Sequence, residues 1–374
     1  MEPIRILHMI GSLNVGGSQK MVIDLYNHID RSKVQFDFII DQPNETFFAN
    51  LLQSMGARIY TMPTFNGANL ISVKRSWKKF FIEHPEYKII HSHVRSYASV
   101  YLPIARKYGL ITIIHSHSTS NGRGVKAAIK KILQYPLRYQ ADYFFSCSVK
   151  AGEWLFGKKI VNKENHKILK NAIDVKKYRY NEEMRFKKRK ELKVDDCFVV
   201  GTVGRIVEQK NPMFIVDICK SLKESTIKTG YKIKFLWVGD GELSNSVNER
   251  LNRYGLADMV IMTGIRTDVN EILQAMDVFV FPSIFEGLGI VAVEAQAAGL
   301  PTLCSIAVPE EAKVSELCEF LPCDNTHVWV ERILENRNVK RTDTQLQVSK
   351  AGYDINDSAK SLQEFYESVS GKIV

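Results

Sequence analysis

The chain lacks the features that mark several specialised classes of protein. No apolar run approaches the ~20 residues of a membrane-spanning helix. The opening segment, residues 4–11, is too short and too interrupted for a signal peptide and suits a first strand instead. Neither a short-period repeat nor a low-complexity tract is present. We therefore expect a cytoplasmic protein rather than a secreted or membrane-spanning one.

Paired cysteines are also missing. The six cysteines form no Cys-x-x-Cys motif, and most lie in apolar contexts such as residues 144–147 and 215–219. Single cysteines in such contexts are typical of small buried side chains in a reducing compartment. We expect neither disulfides nor a cysteine metal centre.

Strand-like and helix-like segments alternate along the chain, which predicts parallel sheets joined by helical crossovers. Because 374 residues exceed what one core usually supports, we expect two domains. A basic, irregular-looking run within residues 171–194 interrupts the alternation and marks the boundary. The expected α/β architecture is two doubly wound, Rossmann-like domains, residues 1–175 and 176–355, with a final helix in residues 356–374 that returns to the first domain. The predicted strands lie near residues 4–9, 36–40, 57–62, 88–91, 111–115, 143–147, 198–203, 232–238, 259–263, 277–281 and 301–305.

Lysine and arginine outnumber aspartate and glutamate by 51 to 41, and the excess is local. Residues 121–196 hold 20 basic and 9 acidic side chains. Within that segment, residues 123–138 predict a helix with Ile129 and Ile132 on an apolar face and lysines around it. Such a helix suits an anionic membrane surface, but it could equally pack on its own sheet. Aromatic and basic residues do not interleave as in nucleic-acid-binding modules, so no nucleic acid partner is expected.

The most informative motif follows the predicted strand at residues 277–281. Gly287 and Gly289 lead from this apolar strand into a helix whose unpaired N–H groups suit a phosphate. Glu286 lies in the turn. Glu294 lies among small apolar residues of the helix, where a carboxylate needs hydrogen-bond donors such as sugar or ribose hydroxyls. A loop carboxylate and a capping or ion-paired helix residue are the alternative interpretation.

Other predicted strand ends carry glycines or cations. After the first strand, Gly16 and Gly17 open a helix, but their spacing does not fit the Gly-x-Gly-x-x-Gly pattern of dinucleotide-binding proteins. In the second domain, Arg205 and Lys210 lie in the loop after its first strand. Two cations there suit a diphosphate, although ordinary surface cations give the same pattern. Residues 238–242 form a third strand-to-helix corner, which is a weak signal by itself.

Two His-x-His pairs end predicted strands of the first domain, His91 with His93 and His115 with His117. A lone histidine is usually structural, but two such pairs raise the possibility of a metal or acid/base role. No carboxylate completes either cluster locally, which weakens the metal interpretation.

The order and spacing of these motifs resemble family 4 retaining glycosyltransferases of the GT-B fold, of the bacterial exopolysaccharide or capsule type. The resemblance rests on residues 204–211, 238–241 and 286–301, and it covers nearly the whole chain. It implies two Rossmann-like domains that face a central cleft, with the donor in the C-terminal domain and the acceptor in the N-terminal one. Ala172 replaces a usual glycine and Gln19 a frequent glutamate, which bears on the linker and the first helix.

The same resemblance implies a role for each motif. Arg205 and Lys210 would bind the donor diphosphate, and Glu294 the ribose hydroxyls. Glu286 would face the donor sugar, and His117, favoured over His115, would line the cleft. The implied catalytic residues are Glu286, His117, Arg205 and Lys210. The donor-binding candidates are Gly16, Gly17, Arg205, Lys210, Gly239, Asp240, Glu286, Gly287, Leu288, Gly289, Ile290 and Glu294, and the acceptor-side candidates are His93, His115 and His117.

The implied reaction moves a sugar from a nucleoside diphosphate sugar, expected to be a UDP-sugar, to a hydroxyl of a saccharide acceptor that is expected to be lipid-linked. Cations and a helix start would stabilise the leaving diphosphate, so no metal cofactor is expected. A nonenzymatic nucleotide-sugar-binding component of a polysaccharide assembly complex is the alternative. A glycoside hydrolase fits the phosphate-binding context less well, and a nicotinamide dehydrogenase would need the missing glycine spacing. Attachment to the inner face of the cell membrane would follow if the basic helix binds lipid.

Overall fold

The computed structural model describes residues 2–14, 16–43, 46–117 and 125–371. The chain forms two compact units, Met1–Ala172 with Ile355–Val374, and Ile173–Asp354. We call them unit 1 and unit 2. The division falls within a few residues of the predicted limits at 175/176 and 355/356.

Unit 1 alternates strands and helices. Its strands are β1 Ile4–Gly11, β2 Val34–Ile40, β3 Ile59–Thr61, β4 Ile89–Ser92, β5 Ile111–Ser116, β6 Tyr143–Ser146 and β7 His166–Ile168. Its helices before the division are α1 Gly17–His28, α2 Ala49–Ser54, α3 Leu70–Glu83, α4 Ala98–Lys107, α5 Val125–Gln134, α6 Leu137–Gln140, α7 Val149–Phe156 and α8 Lys158–Val161.

The strands of unit 1 form one parallel sheet in the order β3-β2-β1-β4-β5-β6-β7. Two separate apolar clusters cover it. One contains Met21 and Tyr26 of α1, and the other contains Trp77 of α3 and Tyr101 of α4. The strand order reverses between β1 and β4, and ligands of open α/β sheets bind at the carboxyl ends of the strands beside such a reversal.

Unit 2 repeats this plan. Its strands are β8 Phe198–Val203, β9 Ile233–Val238, β10 Val260–Gly264, β11 Val278–Phe281, β12 Thr302–Ser305 and β13 Cys318–Leu321. Its helices are α9 Val175–Tyr178, α10 Glu182–Glu191, α11 Pro212–Thr229, α12 Ser244–Arg253, α13 Val269–Ala275, α14 Ile290–Ala297, α15 Thr326–Glu335 and α16 Gln345–Lys350, and three short 3₁₀ segments lie at Glu208–Lys210, Glu310–Ala312 and Asn336–Asn338.

The second parallel sheet has the order β10-β9-β8-β11-β12-β13. All four residues of β11 are buried, which agrees with its uninterrupted apolar sequence. Apolar clusters again lie on both faces of the sheet. The order reverses between β8 and β11, so the loops after these two strands lie beside each other.

The last helix, α17 Ile355–Ser370, packs on β1, β2 and α1 of unit 1 through residues that include Leu362 and Tyr366. Among the described residues, no helix is both long enough and apolar enough to cross a bilayer.

Two local predictions were wrong. The run that the sequence marked as irregular, residues 174–183, contains the short helix α9 and the start of α10. The basic side chains of α10 pair with acidic residues of unit 2: Lys188 Nζ lies 2.6 Å from Asp268 Oδ2, and Arg185 Nη2 lies 2.5 Å from Asp277 Oδ1. Prediction also missed β7 and β13, which are short edge strands.

Candidate active site

The loops after β8 and β11 meet at the carboxyl edge of the unit 2 sheet. Gln209 in the first loop accepts a backbone hydrogen bond from Ile284 N at 2.8 Å, and its side chain donates to Phe285 O at 3.0 Å. A pocket, the strand-end pocket, opens beside these loops. It is lined by Thr202, Val203, Gly204, Arg205, Lys210, Pro212, Ile215, Trp237 and Phe281.

The two loops share an ion pair that joins two predicted site residues. Lys210 Nζ donates to Glu286 Oε1 at 2.5 Å and lies 4.5 Å from the centroid of the Phe281 ring. The side chains are 20% and 8% exposed, respectively. The Lys210 ammonium therefore lies over an aromatic ring at the pocket wall while it pairs with Glu286. The sequence singled out both residues but not their contact, since 76 positions separate them.

Arg205 lies at the rim of the strand-end pocket and is exposed. No acidic residue in the described part of the chain forms an ion pair with it. An exposed guanidinium at this position can turn toward an anion without first breaking an ion pair to a described residue.

The corner after β9 is built by a close backbone approach. Gly239 has a φ of +132°, and a Cβ there would lie 2.0 Å from the carbonyl oxygen of Gly204. Asp240 accepts hydrogen bonds from Gly241 N at 2.7 Å and from the Ser244 hydroxyl. The Ser244 bond, followed by the Gly241 amide, lowers the pKa of the Asp240 carboxyl. Asp240 thus stabilises the corner after β9. This corner lies against Gly204, which lines the strand-end pocket.

The glycines after β11 have distinct surroundings. Gly289 adopts the left-handed conformation, φ +83°, immediately before α14, and a Cβ there would lie 2.9 Å from Phe281. Leu288 beside it is buried. Ala292 N donates to Gly289 O at 2.8 Å, and the N–H groups of Ile290 and Val291 before it have no acceptor within their own helix. Together with Gly287, this turn places backbone donors at the sheet edge where Glu286 lies.

Glu294 is buried within α14, as its apolar neighbours predict. It accepts a hydrogen bond of 2.6 Å from the hydroxyl of Tyr178 in α9. The sequence indicated that this carboxylate needs a donor but suggested ligand hydroxyls, and it gave no sign of Tyr178, 116 positions away. One donor to Glu294 is therefore a protein group.

In unit 1, the glycine pair stands at the start of α1. Gly16 has an extended backbone, and a Cβ on Gly17 would meet no heavy atom of the described residues within 4 Å. Gln19, which replaces the expected glutamate, donates to Ser12 Oγ at 3.3 Å. The open space at Gly17 leaves room for a ligand to approach the backbone.

The predicted histidines form one row with a fifth member that the sequence did not single out. His8 of β1 lies in register with His91 of β4, and its Nδ1 lies 3.0 Å from His93 Nε2. His93 Nδ1 in turn lies 2.8 Å from His117 Nε2. Burial lowers the pKa of His93 to about 3. Burial, followed by the neighbouring imidazoles, holds the pKa of His115 well below its usual value.

The row separates the two histidines that the sequence could not distinguish. His115 is fully buried, and neither of its nitrogens has a hydrogen-bond partner among the described residues. His117 is partly exposed and bonds to His93. His117 is therefore the more accessible of the two to a ligand.

Two family models match the chain. The model described as Glycosyltransferase Family 4 covers residues 15–177, and the model described as Glycosyl transferases group 1 covers residues 183–316. The chain belongs to the family 4 glycosyltransferases. The putative glycosyltransferase EpsF of Bacillus subtilis is 28% identical to it over 372 residues, which are 97% of this chain and 96% of that one. The Staphylococcus aureus capsular polysaccharide biosynthesis glycosyltransferase CapH is 21% identical, over 98% and 99% of the two chains.

Solved structures of low identity share the fold of this glycosyltransferase. Anabaena Alr3699/HepE in complex with UDP-glucose superposes with a TM-score of 0.78 at 18% identity, over 97% of this chain and 99% of that one. The sucrose-phosphate synthase of Thermosynechococcus elongatus gives 0.77 at 16% identity, over 98% and 99%. The predicted GT-B fold of two Rossmann-like domains is confirmed.

Two apolar side chains of the basic helix of the glycosyltransferase are exposed. Ile129 and Ile132 of α5 are 52% and 72% exposed, and Tyr135 and Tyr139 after them are also exposed. Part of the predicted segment, residues 123–124, lies outside the described residues. One of the two interpretations was that this helix packs on its own sheet. The exposure of Ile129 and Ile132 does not agree with it.

Proposed function

We propose that this glycosyltransferase moves a sugar from a nucleoside diphosphate sugar to a hydroxyl of a saccharide acceptor, with retention at the anomeric carbon. The observation that carries the proposal is the strand-end pocket of unit 2. There a cation, a carboxylate and a glycine turn into a helix come together beside the strand-order reversal. This arrangement suits a diphosphate bound to a sugar better than it suits a neutral ligand.

In this proposal the diphosphate lies against Arg205, Lys210 and the backbone of residues 287–290, and Gly239 and Asp240 shape the far side of its site. Glu294, with Tyr178, holds the ribose hydroxyls. A UDP-sugar is the favoured donor, since Anabaena Alr3699/HepE binds UDP-glucose and an Escherichia coli relative, 26% identical over 70% of this chain and 72% of that one, is named a UDP-Gal-dependent galactosyltransferase.

The pocket can assist bond breaking by stabilising charge. The bond between the anomeric carbon and the β-phosphate oxygen breaks with its electron pair on the phosphate, and Lys210 and Arg205 offset that charge. The acceptor oxygen bonds to the anomeric carbon on the same face, and its proton passes to the departing phosphate oxygen. Glu286, held by Lys210, faces the sugar. The cations fill the role that a metal ion has elsewhere, so we expect UDP binding to persist in EDTA.

We assign the acceptor to unit 1. Gly16 and Gly17 leave their helix start open to a phosphate or an acceptor group, and His117 is the accessible member of the histidine row, with His93 and His115 behind it. The name of CapH refers to capsular polysaccharide biosynthesis, and the name of the Escherichia coli relative refers to a diphosphoundecaprenol acceptor. We therefore propose a lipid-linked saccharide acceptor in exopolysaccharide or capsule synthesis.

The exposed side chains of α5 support binding to an anionic membrane surface, where such an acceptor would be found. Ile129 and Ile132 would enter the lipid interface while Lys130 and Lys131, both exposed, contact headgroups. Burying the exposed parts of two isoleucines contributes roughly 2 kcal/mol. Ile129→Ser/Ile132→Ser should therefore weaken binding to anionic vesicles about tenfold to a hundredfold.

A matched control is Ile71→Ser, which changes an isoleucine that is 76% exposed on α3 of the same unit. Vesicle co-sedimentation at low and high salt measures the effect, because surface charge attraction is screened by salt. Equal and weak binding of the wild type to neutral and anionic vesicles would contradict the membrane proposal.

The reaction itself is tested in two steps. Thermal unfolding with UDP, GDP, ADP and their sugars identifies the donor, since a ligand of the folded state raises the unfolding temperature. Release of the nucleotide is then followed with and without saccharide acceptors, and NMR of the product gives the anomeric configuration. Stabilisation by no nucleotide would contradict the proposed pocket, and an inverted product would contradict retention.

A further inference from the structure

Five imidazoles crowd the carboxyl half of β1, β4 and β5 in unit 1. His8, His91 and His115 belong to these strands, and His93 and His117 follow β4 and β5 directly. All but His117 are almost completely buried. This density of one titratable side chain in a core needs a physical reason, because a buried polar group is costly unless it has a partner.

Hydrogen bonds within the histidine row leave several imidazole nitrogens without a partner. One nitrogen of His93 is hydrogen-bonded to His8 Nδ1, and the other is hydrogen-bonded to His117 Nε2. His91 Nδ1 lies 2.6 Å from the hydroxyl of Tyr366. His8 Nε2, His91 Nε2, both nitrogens of His115 and His117 Nδ1 are buried and have no partner among the described residues. Each unpaired nitrogen carries either a lone pair or a hydrogen, and it is buried in the core of unit 1.

We propose that His8, His91 and His93 bind a divalent transition-metal ion of the zinc class. One ligand nitrogen from each of the three lies within 4.8 Å of the others. Neutral imidazole is a preferred ligand of such ions, and three histidines with a water molecule form a known type of zinc site. Burial keeps the three imidazoles neutral at physiological pH, so that no proton has to leave before the ion binds.

A second group, His93 with His115 and His117, has ligand atoms equally close together. Two observations favour the first group. Burial, followed by His93 and then by the charge of Arg95, lowers the pKa of His117, so a divalent ion beside His117 would be repelled by a cation. In the first group, the Tyr366 hydroxyl can accept a hydrogen bond from His91 Nδ1–H. This bond fixes the tautomer in which His91 Nε2 has a free lone pair, as partners of metal-bound histidines commonly do.

Ion binding requires small movements of side chains. Two nitrogens on a tetrahedral zinc lie about 3.3–3.4 Å apart, close to the 3.0 Å between His8 Nδ1 and His93 Nε2. The rings of His91 and His93 stack at 4.5 Å with an angle of 19° between their planes. His91 must therefore rotate about its ring torsion to aim Nε2 at the ion. The site belongs to unit 1 and is independent of the donor pocket proposed for unit 2.

The test measures metal content rather than turnover. The full chain is produced with zinc supplementation, freed of loosely bound ions, and analysed by elemental mass spectrometry, and the chelated chain is then titrated with Zn²⁺ and with Co²⁺. We expect one ion for each chain, and visible absorption of four-coordinate Co²⁺. His91→Gln should weaken binding at least tenfold. His327→Gln, an exposed histidine of unit 2, is the matched control and should change nothing.

Variants that do not fold are recognised by circular dichroism of the metal-free chain, and the wild type then provides the decisive measurement. X-ray absorption at the zinc edge should show three imidazole nitrogens at about 2.0–2.1 Å. Absence of binding by the wild type, unchanged binding by a folded His91→Gln chain, or a first shell without histidine would overturn the proposal. Loss of the ion from His115→Gln but not from His91→Gln would also overturn it, because the second group would then be the site.

Discussion

Replacing Lys210 by methionine removes its charge but keeps an unbranched side chain at this position. In the structure its Nζ lies 2.5 Å from Glu286 and 4.5 Å from the centre of the Phe281 ring, at the wall of the strand-end pocket. If this cation stabilises the leaving diphosphate, its loss should lower kcat by about 10² to 10³, equivalent to about 2.7–4 kcal/mol of transition-state stabilisation.

The cost to folding should be much smaller. Breaking a fully buried ion pair costs about 3–5 kcal/mol, and an exposed pair contributes about 0–1 kcal/mol. The pair of Lys210 is partly exposed, and Glu286 has further interactions, so we expect a loss of about 1–2 kcal/mol in the free energy of unfolding. Most of the chain would remain folded in the assay.

Lys220→Met is a close control in the same unit. Lys220 also pairs with a glutamate, Glu224 at 4.0 Å, and also lies over an aromatic ring, Tyr254 at 5.0 Å, but it stands on the surface of α11. Its replacement should leave kcat unchanged and alter stability by less than about 0.5 kcal/mol. Nucleotide release with saturating donor and acceptor gives kcat, and urea unfolding gives stability. A folded Lys210→Met chain with wild-type kcat would show that Lys210 does not stabilise the leaving diphosphate.

Three further predictions concern individual side chains. Gly239→Ala should lower the free energy of unfolding by more than about 2 kcal/mol, because its Cβ would overlap a backbone oxygen, whereas Gly17→Ala, with open space, should leave thermal unfolding unchanged; similar unfolding temperatures would contradict this. The pKa of His93, about 3 against a usual 6.5, means that the unfolded chain binds a proton that the folded chain does not. Urea unfolding of the metal-free chain between pH 8 and 4 should therefore show stability lost below about pH 6.5, by about 1.4 kcal/mol for each pH unit from this side chain, and a flat profile would contradict it. Tyr178→Phe removes one donor to Glu294 and should cost about 1–3 kcal/mol and weaken UDP binding in calorimetry; unchanged affinity would contradict a role of Tyr178 in holding Glu294 for the ribose.

Local signals predicted most of the fold. Uninterrupted apolar runs such as Val278–Phe281 identify buried parallel strands, and the glycines beside them mark turns whose conformation depends on few neighbours. Edge strands fail this test because they are short and only partly covered, as at Cys318–Leu321. The basic run of α10 failed for a different reason, since its partners Asp268 and Asp277 lie on distant segments.

The sequence also predicted only part of the candidate site. Residue types and turns predicted that Lys210, Glu286 and Glu294 occupy strand ends or the helix beside them. The sequence could not predict which side chains meet, because the partners of Glu286 and Glu294 lie 76 and 116 positions away and contact depends on how the chain crosses the sheet. His8 was missed because a single histidine within an apolar strand gives no signal until its neighbouring strands are known.

Unit 2 is proposed to bind a diphosphate with cations and backbone amides. A crystal structure of the full chain with UDP would locate the diphosphate. We predict phosphate oxygens within hydrogen-bond distance of Lys210 Nζ, of the Arg205 guanidinium and of backbone N–H groups in residues 287–290. A diphosphate bound elsewhere, with Lys210 paired to Glu286 and touching no phosphate, would contradict the claim.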